Sequence, residues 1–316
     1  MKKSLVAVGV AAVLVVGGVL FANMQAENAI KQQFEQANQS YRDLAGTGEM
    51  PEISLNYGDI SANVLTSSYS ISGLTVNFGE MGTVVSVDLI TAQGLKPNGL
   101  ADKGSMQMVG AKAAPAVLQM LPPHTSAFLQ SLALHGDYNY QYQDDGQLLF
   151  SQQTRINDEF SLSYNFTLAQ MQQFWQYAKD FSALSAEQQQ ELTSSDAYVE
   201  QMMAKLLTGA LSSGSIVIEN KGFIERTLAM TAEQQQTPDF ATVQGLALAN
   251  IAALPQLPAE MKQSLTDFVS KPEKLTLSFG FSEPLQFAQA QSGELAEHMV
   301  SPEAMIKFAN VKLQAN

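Results

Sequence analysis

Cysteine is absent from the 316 residues, which excludes disulfides, thiolate metal sites and a cysteine nucleophile. A body that no disulfide can staple has to be held by a hydrophobic core, and 46% hydrophobic residues are enough to build one. Histidine is almost as scarce, with only His124, His135 and His298. None stands in H-E-x-x-H or beside another histidine, so a histidine metal site would need assembly from distant parts of the chain. Charged residues make up only 15%, and acids outnumber bases by 30 to 17, a net charge of −13. Lys2 and Lys3 precede the first apolar run, so the remainder carries 15 basic and 30 acidic residues. Such a body repels phosphate backbones, which excludes nucleic acid as a partner. It also gains no electrostatic help on an anionic membrane surface.

Catalytic signatures are missing as well. The chain has no G-x-S-x-G, S-x-x-K, P-loop or dinucleotide fingerprint. Asp88, Asp102, Asp144 and Asp145 do not fall at the spacing of an EF-hand loop. His135-Gly136-Asp137 sets a carboxylate near an imidazole, but at a strand edge this reads as a solvated pair rather than half a triad. No catalytic, cofactor-binding or metal-binding residue is therefore assigned, and no cofactor is expected. A hydrolase built on scattered carboxylates such as Asp88, Asp137 or Glu159 stands as an alternative.

What the sequence does have is a long apolar opening. Residues 5–22 (LVAVGVAAVLVVGGVLFA) contain eighteen residues and no charge. As a helix rising about 1.5 Å per residue they reach roughly 27 Å, close to the hydrocarbon thickness of a bilayer. Leu5, Val6, Val13, Leu14, Val15, Val16, Val19, Leu20 and Phe21 supply the bulk of the expected anchor, and Lys2 and Lys3 set its topology. Basic residues resist translocation, so the amino terminus stays inside and the rest lies outside. A cleaved signal, followed by a freely diffusing periplasmic binding protein, is the competing reading. Cleavage after Ala22 would place Leu20 where a small residue belongs.

Behind the anchor, Ala26, Ile30, Phe34, Ala37 and Tyr41 recur at steps of three and four, the stripe of an amphipathic helix ending at Gly46-Thr47-Gly48. The stripe is too short for a sustained heptad series, so packing onto the domain is favoured over a coiled coil. From Pro51 the period becomes two, as in Ile53, Leu55 and Tyr57 and again in Leu74, Val76 and Phe78. Gly79-Glu80-Met81-Gly82 suits a hairpin. Residues 96–106 read as a loop, and 109–121 as a helix stopped by Pro122-Pro123. Residues 132–142, 147–156 and 160–166 read as three strands with aromatics across them, turning at Asp144-Asp145-Gly146 and Asn157-Asp158. Tyr138, Tyr140 and Tyr142 share one face, which cross-strand packing explains better than a ligand platform.

Helices dominate from Thr167, where Thr167 and Gln170 resemble a capping box. Ser185 opens a short helix and Asp196 caps another running to about Leu211. Gly214 resets the chain to strand, and Gly222 introduces a helix with Phe223 and Leu228. Residues 243–254 and 261–269 are further helices. A late strand covers 275–281, Ser301-Pro302-Glu303 starts a helix, and 308–313 can return as a final strand.

The order of these features resembles the YdgA-like family of bacterial envelope proteins. The resemblance rests on MKK with its apolar run, then ENAIKQQFEQANQSY, then ISLNYGDISANVLTSSYSISGLTVNF, about the first third of the chain. The later segment from GSIVIENKGFIERTLAM to KPEKLTLSFGFSEPLQF is similar in layout to anchored envelope proteins, including AsmA-like ones. The resemblance implies a Gram-negative inner membrane with a periplasmic domain, and it carries over no catalytic residue.

The expected fold is α+β, a largely antiparallel sheet of meanders and hairpins covered by helices on one face. Residues 1–22 form the signal-anchor helix, 23–48 the stalk helix and 49–316 the periplasmic domain, strand-rich over 49–166 and helix-rich over 167–316. The expected function is non-enzymatic: a single-pass, membrane-anchored protein that binds an envelope protein partner, or an apolar or lipid ligand, in a sheet–helix groove.

Overall fold

The computed structural model describes residues 27–48, 51–63, 67–96, 99–193, 195–233, 238–292, 295 and 300–316. The expected anchor over 1–22, with its named apolar residues and Lys2 and Lys3, lies outside these. Among the described residues no helix is long and apolar enough to cross a membrane.

The fold is α+β with antiparallel strands. In chain order come α1 (Glu27–Gly46), β1 (Ile53–Asn56), β2 (Asp59–Asn63), β3 (Ser68–Phe78), a 3-10 turn (Gly79–Met81), β4 (Thr83–Lys96) and β5 (Gly99–Ala113). Then follow α2 (Pro115–Leu118), α3 (Pro123–Gln130), β6 (Leu134–Tyr142), β7 (Leu148–Ile156), β8 (Phe160–Ala169), α4 (Gln172–Ser182), α5 (Ala186–Thr193) and α6 (Asp196–Leu206). The chain continues through β9 (Ala210–Asn220), α7 (Phe223–Glu233), α8 (Phe240–Ala252), α9 (Ala259–Ser270) and β10 (Lys274–Gln286). It closes with α10 (Phe287–Ser292), α11 (Pro302–Phe308) and β11 (Lys312–Ala315). These elements divide into two compact units, one of residues 1–139 with 178–190, the other of 140–177 with 191–316.

The first unit has a sealed core. β3 pairs with β1 and β2 on one side and β4 on the other, and β4 pairs with β5. Alternation, which changes phase at Gly73 (φ +62°), turns Leu55, Ile71, Leu74, Val76 and Val87 inward, each no more than 2% exposed. α1 closes this core with Ile30 and Phe34, both 1% exposed, and Phe34 meets the ring of Tyr57. The stripe therefore packs on its own unit. Asn38 then bonds both backbone groups of Leu55: the Leu55 N–H donates to Oδ1 at 2.7 Å and Nδ2 donates to the Leu55 carbonyl at 2.9 Å. A helix side chain thus pairs backbone groups on a strand that would otherwise stay open to another chain. Elsewhere in this unit Ser182 Oγ accepts from Leu100 N–H at 2.8 Å, and Lys179 pairs with Asp102 at 2.6 Å.

The second unit is anchored at its start by Trp175, which stacks on Tyr142 at 5.0 Å and meets Tyr140 at 5.6 Å. Tyr140 is 7% and Trp175 5% exposed, so aromatic packing against α4 accounts for the inner tyrosines of β6. From there β7, β8, β9, β10 and β11 pair antiparallel in order.

Several local expectations fail for identifiable reasons. Lys96 and residues 99–106 are strand, because Leu95 pairs with Leu100 and Lys96 with Gly99. Cross-strand pairing overrides the loop-like composition there. The helix expected over 109–121 is short: 109–113 finish β5, and α2 spans only Pro115–Leu118. Pro123 opens α3 at a position where a missing N–H costs nothing. Thr167 is no helix cap, since it pairs with Leu149 and Ser213, and α4 begins only at Gln172. Ser195 holds the N-cap position of α6 in place of Asp196, accepting from Tyr198 N–H at 3.3 Å, and the helix ends at Leu206. β9 begins at Ala210, before Gly214, and Phe308 ends α11 while the last strand starts at Lys312.

Candidate functional site

The register of the second unit sorts its strands into two unlike faces. One face carries Ser151, Asn165, Ser215 and Ser278 in one row and Arg155, Ser161, Glu219 and Lys274 in another. The opposite face carries Phe150 and Phe166, then Tyr164, Ile216, Leu277 and Leu313, then Leu162, Ile218 and Leu275. Polar and apolar residues alternate cleanly along β8 and β10, while β7 places Gln152 and Thr154 on the apolar face and β9 places Val217 on the polar one.

Aromatic rings run across this apolar face as a ladder. Phe150 and Phe166 lie 6.5 Å apart, Phe166 and Phe279 6.3 Å, Phe279 and Phe281 5.9 Å, and Phe281 and Phe308 of α11 5.4 Å. Phe166 sits on β8 and Phe279 on β10, with β9 between them. They meet because Gly214, their partner on β9, has no side chain: a Cβ there would stand 2.6 Å from the Phe279 ring and 2.7 Å from the Phe166 ring. On the same face, Phe160 forms a separate pair with Phe223 of α7 at 5.5 Å. Tyr164 adds a polar atom, its hydroxyl donating to Gln152 Oε1, and burial raises its pKa.

This face is half-buried throughout. None of Phe150, Phe160, Leu162, Tyr164, Phe166, Ile216, Ile218, Leu275, Leu277, Phe279 or Phe281 is fully buried. Among the described residues the second unit fully buries, of its hydrophobic side chains, only Tyr140, Met171, Trp175, Ala210 and Ile251. The first unit, by contrast, fully buries Ile53, Leu55, Ile71, Leu74, Val76, Val85, Val87 and Ile90.

A charged cleft of about 530 Å³ lies where β9 meets α7 and β10 begins. Lys221, Lys271 and Lys274 face Glu219, Glu225 and Glu273 around it. Asn220, 3% exposed, holds the walls together: Nδ2 donates to Glu225 at 2.9 Å and to the Pro272 carbonyl at 2.6 Å, and Oδ1 accepts from Ile224 N–H at 2.9 Å. The hydrogen bond from Lys274 holds the Glu219 carboxyl below its usual range against a smaller opposing effect of burial, with Ser161 and Lys221 assisting. Lys271 pairs with Glu273 at 3.0 Å and Lys274 with Glu219 at 2.9 Å, while Asn220 fastens strand to helix.

The carboxylates singled out by sequence occupy separate places. Asp88 pairs with Lys112 at 2.9 Å, and its carboxylate lies over Gly110, where a Cβ would stand 2.1 Å from Asp88 Oδ2. The Gly110 N–H donates to His135 Nδ1 at 3.4 Å, while Asp137 accepts from Gln107 at 2.8 Å. His135 and Asp137 thus engage different partners. Glu159, in the second unit, pairs with Arg226. Among the described residues no three histidine, aspartate or glutamate side chains group as metal ligands would. The aromatic ladder is what sequence reading missed. Its members were visible as alternating aromatics, but their adjacency depends on Gly214 standing between two strands far apart in sequence.

Residues 153–316 match the model of a protein family described as "Uncharacterized protein". The match covers just over half of the chain, so the chain belongs to that family. It takes in the apolar face from Phe160 onward, leaving out Phe150. No curated protein matches the chain.

Proposed function

We propose that this is a non-enzymatic envelope protein, held at the inner membrane by residues 1–22, whose second unit binds an apolar ligand of lipid class. The observation that carries the reading is the unsealed apolar face. Fully burying one Phe, Leu or Ile stabilises by about 1.5–3 kcal/mol, and here about ten such side chains fall short of full burial. Covering the ladder with an acyl chain would complete that burial. Flat rings at 5.4–6.5 Å spacing suit a flexible aliphatic chain, which needs contact area and no directional partner.

The address rests on the sequence. An eighteen-residue apolar run behind two lysines favours a single-pass anchor with the body in the periplasm, and the resemblance to YdgA-like and AsmA-like envelope proteins points the same way. In this reading α1 leads from the anchor to the first unit, and helices of the second unit flank its apolar sheet face on one side. Tight packing of the first unit makes it the rigid holder, while the second carries the ligand.

Native mass spectrometry of the gently extracted full chain tests the ligand. Wild-type protein retains lipid mass, and the Phe166→Ser/Phe279→Ser variant loses it. A wild-type chain that is empty in every preparation overturns lipid binding and leaves the face to a protein partner. An alkaline wash of membranes tests the anchor separately, and release of the whole chain into the wash overturns it.

A further inference from the structure

The outward side of α8 lacks what surface helices carry. Its inward side is ordinary: Val243, Ala247 and Leu248 are half-buried, Ile251 is 9% exposed, and Gln244 Nε2 donates to the carbonyls of Val269 and Ser270 at 2.8 and 3.2 Å. Those two bonds tie α8 to the end of α9 and fix which side faces out. The outward side shows Thr242, Gly245, Leu246, Ala249 and Asn250, with Leu246 57% exposed, and Leu254 just beyond the helix is 46% exposed. From Phe240 to Ala259 there is no charged residue in a chain of net charge −13. The neighbouring α9 turns Glu260, Gln263 and Asp267 to solvent, as a surface helix normally does.

We infer that the outward face of α8 and the turn carrying Leu254 dock into the surface of the bilayer. Two observations select that occupant. Elsewhere the body is acidic and is pushed away from anionic headgroups, while this charge-free stretch meets no such repulsion. The face has none of the Trp, Tyr or Arg that anchor protein interfaces, and its two large exposed side chains are leucines. The inference also rests on the reading of residues 5–22 as an anchor, which keeps a hydrocarbon phase next to the body and lets two leucines add a weak second attachment without binding a membrane unaided.

The absence of native cysteine allows the test to be made on the full chain with one labelling site at a time. Leu246→Cys, Leu254→Cys and Met120→Cys are labelled with an environment-sensitive dye. Met120, 51% exposed in the first unit, is the reference. Each is reconstituted into phosphatidylcholine vesicles containing lipids that bear a nitroxide high on the acyl chain. Docking gives several-fold stronger quenching and a blue shift at Leu246→Cys and Leu254→Cys relative to Met120→Cys, lost on adding Thr242→Asp with Ala249→Asp. Equal quenching at the three sites, in protein that floats with the vesicles, overturns the docking and leaves the anchor standing. Protein that fails to float overturns both. Shielding at Leu246→Cys that grows with protein density in the vesicle identifies a second copy as the occupant and overturns the bilayer.

Discussion

Gly214 lacks a side chain at the point where the Phe166 and Phe279 rings come together. Gly214→Ala must push two rings apart inside a sheet, and overpacking of that kind costs about 1–3 kcal/mol. The expected result is a lower denaturation midpoint for the second unit together with weaker lipid retention. Gly136→Ala, whose added carbon would meet nothing closer than 3.6 Å, serves as the comparison. An unchanged midpoint for Gly214→Ala would mean that the rings are not in contact across β9. Glu219 gives a residue-scale test in pH. Its folded pKa is depressed, chiefly by the hydrogen bond from Lys274, so its contribution to stability is present above the unfolded carboxylate value and is lost as pH falls through the folded one. Lys274→Gln should therefore destabilise at neutral pH by under about 1 kcal/mol, since both groups are substantially exposed. Acid titration of wild type and variant should show that difference closing below about pH 4. A difference that persists at low pH would assign the effect of Lys274 to packing.

At the scale of elements, α1 is a structural part of the first unit. Phe34→Ala removes a side chain that is 1% exposed and should cost about 3–5 kcal/mol. Asn38→Ala should cost less, but it leaves the Leu55 backbone groups open to strand pairing, so it is expected to raise self-association. Sedimentation that stays monodisperse for Asn38→Ala would argue that α1 guards the strand by bulk alone. This helix was legible in the sequence, because Ile30 and Phe34 fall on one stripe and Gly46 closes it. The strands of the second hairpin block were legible for the same reason, with apolar residues at period two between turn residues. Misreadings cluster where local chemistry and long-range pairing disagree. Thr167 has a good capping sequence, yet it belongs to β8, where neighbours on both sides use its backbone. Residues 99–106 look like a loop only until β4 is placed beside them. The apolar face was half legible: its members alternate visibly, but neither the pairing of β9 with both β8 and β10 nor the failure of its burial is a local property.

At the scale of the molecule, the contrast between a sealed unit and an unsealed one predicts how each opens. Amide exchange from core strands follows the free energy of opening, which falls where apolar contacts are incomplete. Delipidated protein should exchange faster in β8 and β9 than in β3 and β4, which surround Ile71, Leu74 and Val87. Lipid should reverse this selectively. A ligand at about 100 times its Kd stabilises the unit that binds it by about 2.7 kcal/mol, which slows exchange through full opening of that unit about 100-fold. Protection should rise across β7 to β10 and stay constant in β3 and β4, because the side chains these two strands turn inward, among them Ile71, Leu74, Val76 and Val87, are already buried. The same measurement separates the two candidate surfaces of the second unit. Lipid on the aromatic ladder protects the strands, whereas docking of α8 alone protects residues 241–254 and leaves β8 and β9 as fast as before. Equal protection in both units would count against the ladder as a binding face, since a ligand that stabilises every strand alike is not reading the incomplete burial from which its site is inferred.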